Sequence, residues 1–257
     1  MNFLGNLNKT TLSNLLLTLF ILAYVNYAKA QDFGKNKDNL FFAEIGGSYA
    51  IPQALFASVD KNIVSSGYAT EGFSINAFYG FHSRINLGFK IGASLSFFGF
   101  NKSIDTISDD LNIPSNYKDE VKYKPWWFTN FLIGPTYQIK FNNISFDFSL
   151  ITGISFSRRP MIEHKIVEPG NEDFNPKYYR YMPGEGTSFI IRPEFAIYFD
   201  ISEKHKLKAF SSYQYTNPMI SYQVISGNSY HNHTVKNHSL RMEIRWVEIG
   251  IAILFLK

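Results

Sequence analysis

From residue 31 onward the main regularity is a two-residue alternation of large apolar side chains with small or polar ones. That is the period of a strand with one greasy face. Ile85, Leu87, Phe89, Ile91, Ala93, Leu95 and Phe97 share a face, with Asn86, Gly88, Lys90, Gly92, Ser94 and Ser96 on the other. Ile144 to Phe156 repeats the pattern, Phe146, Phe148, Leu150 and Ile154 opposing Ser145, Asp147, Ser149, Gly153 and Ser155. Trp127 to Phe141 is a third stripe, and Phe189 to Phe199 a fourth, backed by Arg192, Glu194 and Asp200. Weaker alternation over 40–51, 70–82, 206–217 and 238–256 brings the expected strands to eight.

The joins sharpen this expectation. His82-Ser83-Arg84, Asn142-Asn143 and Ser202-Glu203-Lys204 read as tight polar hairpins, whereas 52–69, 101–124, 158–186 and 218–237 are long. Short and long joins alternate strictly, with both chain ends on the short-turn side. Eight antiparallel strands with short turns at one end, long loops at the other and an apolar outward stripe is the layout of an outer-membrane barrel.

Upstream, Lys9 is the only charge before an apolar run from Leu15 to Val25, which leads to the small-x-small text Ala28-Lys29-Ala30. Eleven residues of helix rise about 16 Å, roughly half the ~30 Å of a bilayer core. Residues 1–30 are therefore expected to be a signal peptide removed after Ala30, with 31–39 a periplasmic N-terminal segment and 40–257 the transmembrane barrel. No later stretch is long enough for a helical span; Val247 to Leu256 is ten residues and contains Glu248. A membrane-embedded form would thus have to be a closed barrel.

Composition narrows the function classes. The chain has 25 Phe, 16 Tyr and 3 Trp against 18% charged residues, and no cysteine, which excludes disulfides, Cys-ligated metal and an N-terminal lipidated Cys. A net charge of +4 without a Lys/Arg cluster gives no footprint for nucleic acid. A soluble calyx would bury its apolar face, but the opposite face here is rich in Gly, Ser, Asn and Lys. Such residues cannot fill a soluble core at native density, yet they suit the narrow interior of a small barrel. Two features strain the pattern. Pro135 and Pro193 fall mid-strand, where each removes a ladder hydrogen bond; a bulge at each would be tolerated, and a wrong strand assignment is the alternative. The last segment changes phase between Leu240-x-Met242-x-Ile244 and Val247-x-Ile249, so a bulge near Arg245-Trp246, or a strand that protrudes above the bilayer, is expected there.

The strand text Phe131-Leu132-Ile133-Gly134-Pro135-Thr136-Tyr137 and the terminal Val247-Glu248-Ile249-Gly250-Ile251-Ala252-Ile253-Leu254-Phe255 resemble small outer-membrane β-barrels of the Bacteroidota type. In plan the chain is similar to the eight-stranded outer-membrane protein A and X barrels. The resemblance implies an all-β, up-and-down transmembrane fold, outer-membrane location and an aromatic-ended insertion signal for the barrel assembly machinery. Leu256 and Lys257, which follow Phe255, depart from that signal.

Candidate chemistry follows from the two faces. Glu44, Lys90, Lys140, Asp147, Arg192, Glu194, Lys208 and Glu248 fall on the lumen phase, four acids and four bases. In so narrow an interior they either line an ion path or neutralise one another as a plug; the plug is favoured, because unpaired charges would suffer desolvation. The rest of the hollow is expected to hold small groups. Phe97, Trp126 and Trp127 near the loops, and Tyr137, Phe141 and Phe199 near the turns, are expected to form outward interfacial girdles.

His231, His233 and His238 lie in the last long join, where an H-x-H pair lacks a third ligand at fixed spacing, so no metal or cofactor is assigned. A Ser–His hydrolase acting on lipid A is a minor alternative from His238-Ser239, although neighbours on a strand face opposite ways; His82-Ser83, in a short turn, offers less. Asp105, Asp109, Asp110, Asp119 and Glu120 match no calcium loop. The long third loop, with Arg158-Arg159-Pro160, Glu163-His164-Lys165 and Asn175-Pro176-Lys177-Tyr178-Tyr179-Arg180-Tyr181, suits protein or glycan contact. The reading is a non-enzymatic barrel with a plugged lumen, embedded in outer-membrane lipid, with a structural or adhesive role through its outer loops. The alternative is an accessory barrel of a larger secretion or assembly complex, contacted through its loops or wall.

Overall fold

The computed structural model describes residues 39–59, 67–83, 86–101, 118–167, 177–227 and 233–257. In chain order the elements are β1 (Asn39–Gln53), α1 (Ala54–Ala57), β2 (Ala69–Ser83), β3 (Leu87–Phe100), β4 (Lys118–Tyr123), β5 (Trp126–Phe141), β6 (Ile144–Arg158), β7 (Ile162–Val167), β8 (Lys177–Tyr181), β9 (Glu185–Ser202), β10 (His205–Thr216), β11 (Met219–Gly227), β12 (His233–Arg241) and β13 (Ile244–Leu256). Each of the eight expected strands is present. They run β1-β2-β3-β5-β6-β9-β10-β13, all pairs antiparallel, and β13 returns to β1, so the sheet closes on itself.

The register fixes the geometry of the cylinder. Starting at Ala43 and stepping through paired residues Tyr79, Ile91, Ile133, Thr152, Ile191, Tyr215 and Arg245 leads back to β1 at Gln53, ten residues higher. That stagger tilts the strands and leaves an interior just wide enough for side chains. The hairpin ends use the residues such turns demand. Asn142 has φ 49° and Asn86 φ 64°, left-handed values that asparagine tolerates best among residues with a Cβ.

Neither proline makes a bulge, and neither interrupts its strand. The β5–β6 register is the same on both sides of Pro135, and the β9–β10 register the same on both sides of Pro193. Pairing lapses on one side only: Pro135 still pairs Phe89 on β3, and Pro193 still pairs Leu150 on β6. The missing N–H therefore costs one rung on one edge rather than a shift of every later side chain. The last expected strand also divides. β12 ends at Arg241, Met242 and Glu243 lie outside any strand, and β13 begins at Ile244; β12 pairs β11 and not the barrel wall. The phase change is thus a protruding strand, set three residues before the bulge expected at Arg245-Trp246.

β4, β7, β8, β11 and β12 pair among themselves past the rim in the order β4-β7-β8-β11-β12, an extension of the same sheet that joins the wall where Ser221 of β11 pairs Glu185 of β9. The described residues that follow β1, 54–59, fold into the mouth. Within residues 54–59 the backbone turns left-handed at Ala54 (φ 52°) and Phe56 drops to full burial; Tyr68, just before β2, is left-handed too (φ 51°). The expected signal peptide, and the 31–39 segment apart from Asn39, lie outside the described residues, as do Asp105, Asp109, Asp110, Asn175, Pro176 and His231.

Candidate functional site in the barrel interior

The alternation resolves into an outside and an inside. Phe89, Phe148 and Phe195 are 38%, 50% and 39% exposed on the outer wall, whereas Lys90 and Glu194 are 1% and 4% exposed within. All eight wall strands add large exposed apolar groups, among them Ile45, Phe73, Ile91, Ile133, Leu150, Ile191, Leu207 and Ile251. A continuous apolar belt around a protein that hides its charges is the inverse of a water-soluble surface. Among the described residues no helix is long and apolar enough to cross a membrane.

The interior is built in three levels. At the turn end Phe42, Tyr198, Phe210 and Leu254 pack with Ala196 and Ala252. Glycines make the space: a Cβ on Gly250 would come 2.7 Å from the Phe210 ring, and one on Gly92 2.5 Å from Phe78. At the loop end a larger aromatic cluster seals the mouth. Phe56 sits edge-on to Phe98, Trp126 and Phe128 at 5.1, 5.4 and 5.7 Å, and Trp246 lies 5.2 Å from Phe128. The indole N–H of Trp126 donates to the Gly67 carbonyl at 2.9 Å, tying the inserted segment to the wall. These two apolar caps correct the expectation that small and ion-paired groups alone fill the hollow.

Between the caps lies a charge network. Glu194 is its hub: Lys90 Nζ and Lys208 Nζ donate to its Oε1 at 2.7 and 2.6 Å, and Arg192 Nη2 donates to Oε2 at 3.0 Å. Lys208 also reaches Glu44 at 2.6 Å, and Arg192 reaches Glu248 at 3.3 Å. Glu248 accepts further bonds from Ser74 at 2.6 Å and the Trp246 indole at 3.0 Å, while Arg192 Nη1 donates to Asn76 at 2.7 Å. Three carboxylates thus meet three cations, all six side chains essentially without solvent contact. Aromatic faces complete the enclosure: Phe210 lies 4.8 Å from Lys208 Nζ, and Phe78 5.3 Å from Lys90 Nζ.

A second, smaller group forms nearer the turns. Asp147 accepts from Ser149 at 2.6 Å and from Thr136, and its other partner is His82 at 3.3 Å, whose ring stacks on Phe42. Among the eight candidate charges, Glu44, Lys90, Arg192, Glu194, Lys208 and Glu248 are brought together, Asp147 stands apart with His82, and Lys140 joins neither. Lys140 has the lumen phase, but it is the penultimate residue of β5 and opens to solvent. His82 is outside the set that the sequence nominates; its even phase on β2, shared with Phe78 and Gly80, is the signal that points to it.

The aromatic girdle needs one correction. Phe97 and Trp127 face outward and stack at 5.8 Å; Tyr137, Phe141 and Phe199 are exposed near the turns. Trp126, by contrast, is 1% exposed and belongs to the inner cap, because adjacent residues of a strand face opposite ways. The same rule separates His238 from Ser239: His238 stacks on Tyr222 at 5.4 Å, and Ser239 is bonded to Ser221 at 3.2 Å on the other face. Among the described residues no group of three or more His, Cys, Asp or Glu is placed to hold a metal ion.

No family model matches the chain, and no curated protein matches its sequence. Among solved structures it is similar to Neisserial surface protein A, at 12% identity over 84% of this chain and 96% of that one, with a TM-score of 0.43. It is also similar to a major outer membrane protein of Thermus thermophilus (8% identity, 85% and 99% covered, TM-score 0.41). A third is Ail, the attachment invasion locus protein of Yersinia pestis (13%, 85% and 99%, TM-score 0.38). At such identities and scores the likeness concerns the strand layout and goes no further.

Proposed function

We propose that this chain is an integral outer-membrane β-barrel with a closed lumen, whose work is structural or adhesive and is done by the strands that rise above its rim. One observation supports this above others: the apolar belt is outside on every wall strand while six paired charges are sealed inside. Lipid tails solvate the first arrangement and exclude the second from contact with them. Ion pairs and two apolar caps fill the space through which a solute would pass, so the reading is a plug and not a pore. The test is fractionation together with gel migration before and after heating. The folded protein should partition with outer membranes and migrate faster unheated than boiled; recovery in the soluble fraction with a single migration would overturn the reading.

A second reading, an accessory subunit of a larger membrane complex, is favoured by one local feature. On the outer face of β10 the side chains shrink to Ala209 and Ser211, flanked by Phe195 and Ile197 on β9 and by Ile249 and Ile251 on β13. With Gly47 alongside they leave a groove of about 620 Å³ in the wall. Extraction in mild detergent distinguishes the two: a stoichiometric larger assembly that dissociates on Ala209→Trp supports the subunit, and a lone monomer removes it.

A further inference from the structure

Directly above the apolar belt the wall carries a lateral row of polar residues in strict register. Arg158 on β6 pairs Glu185 on β9, Glu185 pairs Ser221 on β11, and Ser221 pairs Ser239 on β12. All four are exposed, and so are Gln223 and Asn237, which pair one step higher. Two residues below the row, at about 7 Å, the belt ends in Phe156 on β6 and Met219 on β11. The sheet is parted here. Met182, Pro183 and Gly184 fall between β8 and β9, where the Met182 N–H donates to the Gln223 carbonyl and the Arg159 N–H to the Gly184 carbonyl, each at 2.8 Å. The parting leaves a cleft of about 690 Å³, walled by Met182 and Pro183 and floored by the polar row.

The chemistry of the cleft selects among ligands. Gln223 Nε2 donates to Asn237 Oδ1 at 3.0 Å, which leaves the side-chain carbonyl of Gln223 and the amino group of Asn237 outside that bond on two exposed residues. Ser221 and Ser239 hold each other at 3.2 Å with bonding capacity to spare. Arg158 and Glu185 stand 3.9 Å apart, both half exposed, so their charges cancel across the cleft. Paired donors and acceptors with no net charge match the vicinal hydroxyls of a neutral sugar, and Met182 and Pro183 offer an apolar wall to the C–H face of its ring. A polyanion would find one guanidinium already countered by a carboxylate.

Position then decides where that sugar comes from. The row faces the same way as the belt and sits one step above it, so whatever fills the cleft stands beside the barrel in the plane of the membrane. We infer that this cleft seats the neutral saccharide part of an outer-leaflet glycolipid, an inference that rests on the membrane reading above.

The full chain is reconstituted in nanodiscs of phosphatidylcholine doped with a glycolipid bearing an uncharged oligosaccharide, or with the same lipid lacking it. Bound glycolipid per barrel is counted by native mass spectrometry. Two neutral hydrogen bonds of ordinary strength correspond to roughly 5- to 150-fold in affinity. The sugar-bearing lipid should therefore be held about tenfold more tightly than the sugar-less one, and a Gln223→Ala/Asn237→Ala double variant should lose that preference. Both substituted side chains are exposed, and heat-modifiable migration verifies that the variant barrel is folded. Equal retention of the two lipids, or an unchanged preference in the folded variant, overturns the inference. So does equally tight binding of the free, deacylated oligosaccharide, which would assign the cleft to soluble glycans. A chain that does not enter nanodiscs at all fails the membrane reading instead.

Discussion

Glutamate 194 is the most informative residue to remove. It is the carboxylate that three buried cations share, and Lys90 has no other carboxylate within bonding distance among the described residues. In Glu194→Gln, Lys208 keeps Glu44 and Arg192 keeps Glu248, but Lys90 is left with the Phe78 ring at 5.3 Å and only the longer-range charge of Asp147, with no carboxylate in contact. Breaking a buried pair from one side typically costs about 3–5 kcal/mol, because the surviving charge stays desolvated. That corresponds to roughly two to nearly four decades in the folding equilibrium. Glu194→Gln combined with Lys90→Met removes one charge of each sign and should recover much of the loss. The measurement is equilibrium unfolding in urea after reconstitution into lipid vesicles, followed by tryptophan emission, for wild type, both single variants and the double variant. If Glu194→Gln shifts the equilibrium by less than about 1 kcal/mol, or the double variant is simply the sum of the singles, the six charges are not a coupled plug.

Other expectations follow from the same geometry. Phe56→Ala should cost about 3–5 kcal/mol as a core truncation yet leave planar bilayers silent, because the charge network below still fills the lumen; steady openings in that variant would refute the two-level seal. Ile251→Arg, at an outer-wall position 64% exposed, should cost about 2–4 kcal/mol in vesicles, whereas a water-facing residue would accept the change at little cost. Gly250→Leu, aimed at the Phe210 ring and Ser48, should cost about 1–3 kcal/mol by overpacking, measured by the same urea titration.

Much of this is legible along the chain, for a physical reason: in a small barrel each residue has only two environments, and a period of two separates them. The alternation over Ile85–Phe97 and Ile144–Phe156 is enough to put Phe89 and Phe148 outside and Lys90 inside. Depth is harder to read. Lys140 and Lys208 have the same phase, but one stands at a rim and the other under an aromatic ceiling, a difference set by stagger and invisible to parity. Trp126 is misplaced when two adjacent tryptophans are both given to the outer surface, since only one of them can face it. Apart from the phase change that marks β12, the protruding strands leave no local trace. Their rungs join β4 to β7 and β8 to β11, segments contributed by different loops, and the pairing of separate loops has no period to detect.

The inserted Phe56 also bears on how the cylinder is completed. The side chain belongs to the join after the first strand, yet the rings around it, Phe98 and Phe128, are themselves backed by Trp246 near the start of the last. Its seat is whole only when the two ends of the chain have met along β1 and β13. The environment of the Trp126 and Trp246 indoles therefore acts as a built-in seam sensor, changing when the wall zips shut rather than when individual hairpins form.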